Sequence, residues 1–588
     1  MTAFLPQHTT AVRRSERQRE LEQQRRIYEY NYTHISQAAV LNQLPIHDEF
    51  SFQWLEMVSQ RVLTGIRNRC ELERDEASKQ RHSVLHGVLT RLLERGLDAA
   101  EEIRLRVLEA LRFEGRRGAP QRSAGSMKEF ENLFREYGLP PIARDFRNDA
   151  VFVAMRTSGP NPVMLRQMRE ADERLPITEE IFCRSVSGDS LAAAMAEGRL
   201  YLADYGVLDG AVTGRGSGGL KRLYAPLALF VCTGPKRELR PVAIQCRQIP
   251  AVDNPILTPC DGVNWLIART IVESADGNLH EGSTHLARTH LAMEAFVLAT
   301  YRQLSSEHPL RVLLRPHFEG TLAINDSAWK HLISDGGAVD QLLAGTIETS
   351  RGVAIQGLRD LHVMNDRLPL EFERRGVGNR ELFPDYPYRD DSLLYWDAIH
   401  EWVDAYVRLY YEGAGDVVAD NELQGWGREL CANDGGRLRG LPNDGAFVSV
   451  EEVVETVTFV LYTCSVQHAA VNFPQSDCMT WCPLMPLSVY GEAPVSRSGL
   501  TEADYLAMLP TLDMAELQLE VCDLLGSVHY TQLGKYGAHY FGDDRVLGPL
   551  GVFQQRLSEI GARITERNLG RRPYSTLLPG SIPQSINI

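Results

Sequence analysis

The chain has 588 residues, 44% of them hydrophobic and 24% charged, which is material for a deep core and lacks the bias of a disordered chain. With 62 basic against 77 acidic residues its net charge is -15, which argues against nonspecific nucleic-acid binding and gives no strong pull toward anionic membranes. The opening residues hold no apolar run of signal-peptide type, and nowhere does the sequence approach the roughly 18 uncharged apolar residues of a membrane span, so a cytoplasmic protein is expected.

Residues 11–35 are dominated by Arg, Glu and Gln in helix-forming order, with few apolar side chains to bury, so residues 1–45 read as a charged helical extension, solvated or mobile. A weak peripheral contact of this helix with a membrane or a partner is the sharper alternative, countered by the interspersed Glu16, Glu20 and Glu22. Residues 50–112 predict two or three core-facing helices, FSFQWLEMVSQRVLTGIRNR, HSVLHGVLTRLLERG and AEEIRLRVLEALRF. The Pro/Gly-rich runs RRGAPQRSAG, GLPPIARD and TSGPNPV follow as loops. LYLADYGVLDG, YAPLALFVCTG and LRPVAIQCRQI predict one small sheet. Beyond it the chain is mostly helical, with long helical patterns over 265–302 and 450–472, so the fold class is mainly α with a small β-sheet subregion in a body covering 46–588.

The 10 cysteines show no CxxC pair of pairs, so neither a zinc ribbon nor a disulfide framework is indicated, and a metal would have to use His, carboxylate or amide ligands. The first long helix carries His285 and His290. Five positions along a regular α-helix turn a side chain about 140° away, whereas an i→i+5 π-turn restores one face, so shared ligation demands a π-bulge here. By itself the pair reads first as two ordinary helix histidines, a spacing common by chance among 16 histidines. The second helix places His468 and Asn472 four apart, about 40° on an α-helix and thus on one face, where a core histidine beside a helix-end Asn is the plain alternative. Three imidazoles with oxygen donors suit iron or manganese without excluding zinc.

HLARTHLAMEAF, then ATYRQL, HPL and LLRPHFEGTLAIN, then HAAVNFPQ and a C-terminal PYSTLLPGSIPQSINI together resemble the lipoxygenase signature set, in that family's order and at comparable spacings. The resemblance runs from about residue 149 to Ile588. It implies a single large helical catalytic domain without an N-terminal β-sandwich, as in compact bacterial members. It also implies one non-haem iron, or manganese, held by His285, His290, His468, the Ile588 carboxylate and a weaker Asn472. The implied reaction is hydrogen abstraction from a bis-allylic carbon of a polyunsaturated fatty acid, then capture of O2 to give a hydroperoxide, in a monomer. A hydroperoxide isomerase on the same scaffold is the alternative, and a noncatalytic lipid-binding protein a remoter one.

Glu281 and Gln475 fall where the family places a hydrogen-bonded pair linking the two ligand helices. Leu332, Ala338, Val339 and Leu525 fall at or near positions lining the fatty-acid channel, although apolar residues at helical spacing also read as plain core. Ala328 aligns with a position where Ala accompanies S products and Gly R products. Departures from the family pattern are Ala295, where Pro or Val is common, Trp329, where Arg is common, and the lack of an aligned Arg to hold a carboxylate in the cavity.

Overall fold

The computed structural model describes residues 3–76 and 119–588. The helices expected in HSVLHGVLTRLLERG and AEEIRLRVLEALRF lie outside the described residues; the first of the three forms a helix over Phe52–Glu76. Two long buried helices run through the centre, and the remaining helices pack around them.

The first central helix is buried along almost its whole length, from Trp265 and Ile267 to Phe296 and Tyr301, and its polar side chains, among them Arg269, Glu273 and Asp276, are buried with it. Thr258 and Asp261 form a capping box just ahead of it, and Gly262, at φ +58, makes the left-handed turn into it that a side chain would oppose. It runs as α-helix over Val263–Leu279, opens into a π-helix over His280–Leu291, and resumes over Ala292–Gln303. The bulge demanded by the His285–His290 spacing is therefore present. The second central helix starts with the Ser449 hydroxyl accepting from the Glu452 N–H and covers Val450–Tyr462. It contains a π-turn that the sequence did not foretell, Thr463–Gln467, before the regular turn His468–Asn472. There the Ser465 hydroxyl donates to the Leu461 carbonyl at 2.6 Å, a back-bond of the kind that bends helices.

The predicted sheet is antiparallel in the order β3 (Arg166–Gln167), β4 (Leu200–Asp204), β5 (Leu227–Thr233), β6 (Glu238–Gln245). Tyr201 pairs with Phe230 and Leu227 with Gln245, and a small core including Phe182, Val231 and Val242 covers one face. The other strands among the described residues form two short hairpins, one of them β1 (Tyr30–Asn31) with β2 (Val40–Leu41), and no β-sandwich is among them. Among the described residues no helix is long and apolar enough to cross a membrane. All ten cysteines are free.

The N-terminal extension departs from expectation. Helix α1 (Ala11–Ile27) exposes most of its surface, but Leu21 is buried and Arg17 makes a buried bidentate pair with Glu422 at 2.7 and 2.9 Å. The hairpin behind it packs Ile35, Ala38 and Val40 against Ala287 and Leu291 of the π-helix. A charge that looks solvated in sequence is here neutralised by a carboxylate some four hundred positions away. At the other end, Thr321 donates to the Ile586 carbonyl at 2.9 Å, Trp54 Nε1 to the Asn587 carbonyl at 2.7 Å, and Asn587 Nδ2 to the Tyr530 carbonyl at 3.0 Å. These bonds draw the tail into the core, with Ile588 only 2% exposed.

Candidate metal centre

His285 and His290 come from the π-helix and His468 from the second central helix; all three are buried and their ligand atoms lie within 4.8 Å of one another. His290 Nε2 is 3.2 Å from both His285 Nε2 and His468 Nε2. His285 Nδ1 sits 3.5 Å from Glu281 Oε2, and His290 Nδ1 sits 2.8 Å from Asn325 Oδ1. Both partners accept, so Nδ1 carries the proton in each ring and the two Nε2 lone pairs face one another, an arrangement a cation between them resolves. Burial lowers the pKa of all three imidazoles, that of His290 to about 3, with neighbouring imidazoles adding to the effect at His290 and His468. They are therefore neutral at ordinary pH, as metal ligation requires. Burial opposes ionisation of Glu281, but His280 and His285 outweigh it and hold its carboxyl well below the usual range. Three neutral imidazoles converging on one point fit a transition metal.

The backbone of Ile588 lies against the His468 ring. Asn472 is one helical turn from His468, its Nδ2 donating to the Leu525 carbonyl at 2.8 Å and its Oδ1 accepting from Gln475 Nε2 at 2.9 Å, so one lone pair of Oδ1 is left for another partner. The anticipated hydrogen bond between Glu281 and Gln475 is not formed. Glu281 is held within its own helix by His280 and His285, Gln475 turns back to Asn472, and Gln475 Oε1 is buried without a partner.

An apolar cavity reaches this cluster, with His285, His290, Glu281 and Ile588 in its lining. Ala328, Leu332, Ala338, Val339 and Leu525 all line it, as the resemblance implied. The same residues also belong to the hydrophobic clusters or pack against them, Ala338 and Ala328 as members and Leu332, Val339 and Leu525 at their margin. Among the described residues the lining contains no Arg or Lys. Several residues of the site carried no assignment in the sequence. His280 stacks on His285 with ring centroids 5.4 Å apart, its Nε2 2.8 Å from the Val471 carbonyl. Asn325 and Glu294 form a buried chain behind His290. Their signal was present, since both stand inside quoted motifs, LAMEAF and LAIN, but nothing in the spacing says which side chains meet.

The lipoxygenase family model matches residues 152–583. The chain is 41% identical over 488 residues to a linoleate 9/13-lipoxygenase of Pseudomonas aeruginosa, covering 79% of this chain and 70% of that one. It is 34% identical over 481 residues to the polyunsaturated fatty acid lipoxygenase ALOX8 of Mus musculus, covering 79% and 69%. Its fold matches an anaerobic crystal structure of a lipoxygenase variant in complex with arachidonate at a TM-score of 0.87 and 28% identity, over 100% of this chain and 84% of the other. A buried three-histidine centre at the end of an apolar cavity, on helices in this order and covered by this family model, places the chain in the lipoxygenase family.

Proposed function

We propose that the protein is a fatty-acid dioxygenase that binds one non-haem iron through His285, His290, His468 and the Ile588 carboxylate, with Asn472 as a weaker ligand, and converts polyunsaturated fatty acids to hydroperoxides. The observation that carries this reading is the apolar cavity opening onto His285 and His290 of the three-histidine cluster. Iron held by these residues would supply reversible one-electron chemistry, taking up the electron when a bis-allylic C–H bond is broken and returning it, with the proton, once O2 has added to the carbon, so that fatty acid plus O2 balances to hydroperoxide. The chain's own part is positional. Leu332, Ala338, Val339 and Leu525 hold the hydrocarbon against the metal end and exclude water, fixing which methylene is presented. The Ala328 methyl narrows one side of the cavity and so favours attack of O2 that gives the S product. Residues 46–588 act as the catalytic body, monomeric, with residues 1–45 docked on it.

Relatives named for linoleate and polyunsaturated fatty acids, and the arachidonate-bound neighbour, support this substrate class. The test is oxygen uptake with growth of conjugated-diene absorbance on linoleic or arachidonic acid, with elemental analysis to distinguish iron from manganese. Hydroperoxide loss under nitrogen without oxygen uptake on either acid would reassign the protein as an isomerase. Fatty-acid binding by iron-loaded protein with neither reaction would make it a lipid carrier.

A further inference from the structure

Three hydrogen bonds in series connect the N-terminal hairpin to His290, and the capacities of the groups that make them fix the direction of the chain. The Leu41 N–H can only donate, and it reaches Glu294 Oε1 at 2.7 Å. Glu294 Oε2 accepts from Asn325 Nδ2 at 2.7 Å. The carboxamide is thereby held with Oδ1 facing away from Glu294, 2.8 Å from His290 Nδ1. An acceptor at that place demands Nδ1–H and leaves the Nε2 lone pair free, the tautomer a metal ligand needs. Glu294 and Asn325 are each 2% exposed, so water cannot replace a missing member. The hairpin supplying Leu41 is held in place by Ile35, Ala38 and Val40 on the π-helix, and by His34 stacked on Trp329 at 5.8 Å. Trp329 is one of the departures from the family pattern noted in the sequence.

We infer that the N-terminal extension is a positioning part of the metal centre: through the Leu41 N–H, Glu294 and Asn325 it sets the orientation and tautomer of His290. The inference rests on His290 being a metal ligand. Residue 294 must offer two acceptors, because both neighbours donate to it. Glu294→Gln offers one, so either Leu41 meets an N–H or Asn325 turns over and presents Nδ2 to His290.

The test measures iron affinity by chelator competition and the ferric paramagnetic resonance signal, with thermal melts to confirm folding. Glu294→Gln is expected to bind iron about 10–100-fold more weakly and with an altered signal. Adding Asn325→Asp restores the path from Leu41 to the His290 ring, losing only the 3.2 Å bond from Asn325 Nδ2 to the His290 carbonyl: the carboxamide at 294 accepts from Leu41 and donates to the carboxylate at 325, which accepts from His290 Nδ1. Affinity should return to within about threefold of the parent, a rescue that a packing role would not produce. Leu41→Pro removes the donor from the extension and should weaken iron binding about tenfold, with no further loss when Glu294→Gln is added. Parental affinity and signal in Glu294→Gln, or a folded double variant as weak as the single, overturns the chain of contacts. Parental affinity in Leu41→Pro overturns the role of the extension, and if that variant fails to fold, the pair at 294 and 325 decides. His290→Ala separates the two readings: retention of iron there sinks the metal assignment, whereas loss there with no effect at 294 or 41 sinks the inference alone.

Discussion

Each side chain at the centre does one job that its chemistry permits. His285 and His290 are ligand candidates because Glu281 and Asn325 take their Nδ1 protons and burial keeps the rings neutral. In the proposed ligand set Ile588 acts through its carboxylate and not its side chain. Deleting Ile588, or adding residues after it, is expected to lower iron per chain and activity together, as read by elemental analysis and oxygen uptake. Parental iron content in either variant would remove Ile588 from the ligand set. Ala328→Gly deletes one methyl from the cavity wall and is expected to shift products toward the R enantiomer at unchanged iron content. Chiral chromatography reads this directly, and an unchanged ratio would deny Ala328 stereocontrol.

At the scale of elements, the π-helix is held by close packing against the helix Ile347–Asp360. A Cβ on Gly357 would meet Ser283 Oγ at 2.6 Å and Ala287 Cβ at 3.0 Å, and one on Gly282 would meet Val353 Cγ1 at 2.8 Å. These two glycines let the backbones approach where the π-turn widens the first helix. Gly357→Leu is expected to cost about 1–3 kcal/mol of stability through overpacking, measured by denaturant melting, with lower iron occupancy as the ligands are displaced. A variant as stable as the parent would show that the interface yields.

Two predictions belong to the whole molecule. His317, fully buried with Nε2 3.1 Å from Tyr536 Oη, has its pKa pushed down to about 3 by burial. Between pH 6.5 and 3 the unfolded chain therefore takes up a proton that the native state refuses. This contribution is whole above pH 6.5 and is lost as the pH falls, at about 1.4 kcal/mol per pH unit. His317→Gln is expected to flatten that part of the stability profile, and an identical slope in variant and parent would refute the assignment. The cavity, assembled from several helices and the tail, has no Arg or Lys among its described lining residues, and the acyl chain is expected to carry binding more than the carboxylate. Methyl linoleate is expected to react with a kcat/KM within about fivefold of linoleate, the worth of an exposed ion pair. A much larger loss for the ester would reveal a buried anchor.

What the sequence determined by itself was local or periodic. The long helices over 265–302 and 450–472, the strands of the small sheet, the π-bulge demanded by the five-position step from His285 to His290, and the shared face of His468 and Asn472 all follow from spacing along one element. The lipoxygenase motifs gave the ligand candidates and the channel residues because a family resemblance encodes tertiary proximity that spacing does not. Tertiary structure alone decided the rest, since hydrogen-bond partners and counterions are chosen across hundreds of positions. It paired Arg17 with Glu422, gave Glu281 to His280 and His285 instead of Gln475, and joined Leu41 to His290 through Glu294 and Asn325. A buried donor or acceptor must find a partner wherever the fold supplies one, and the order of residues along the chain does not say where that is.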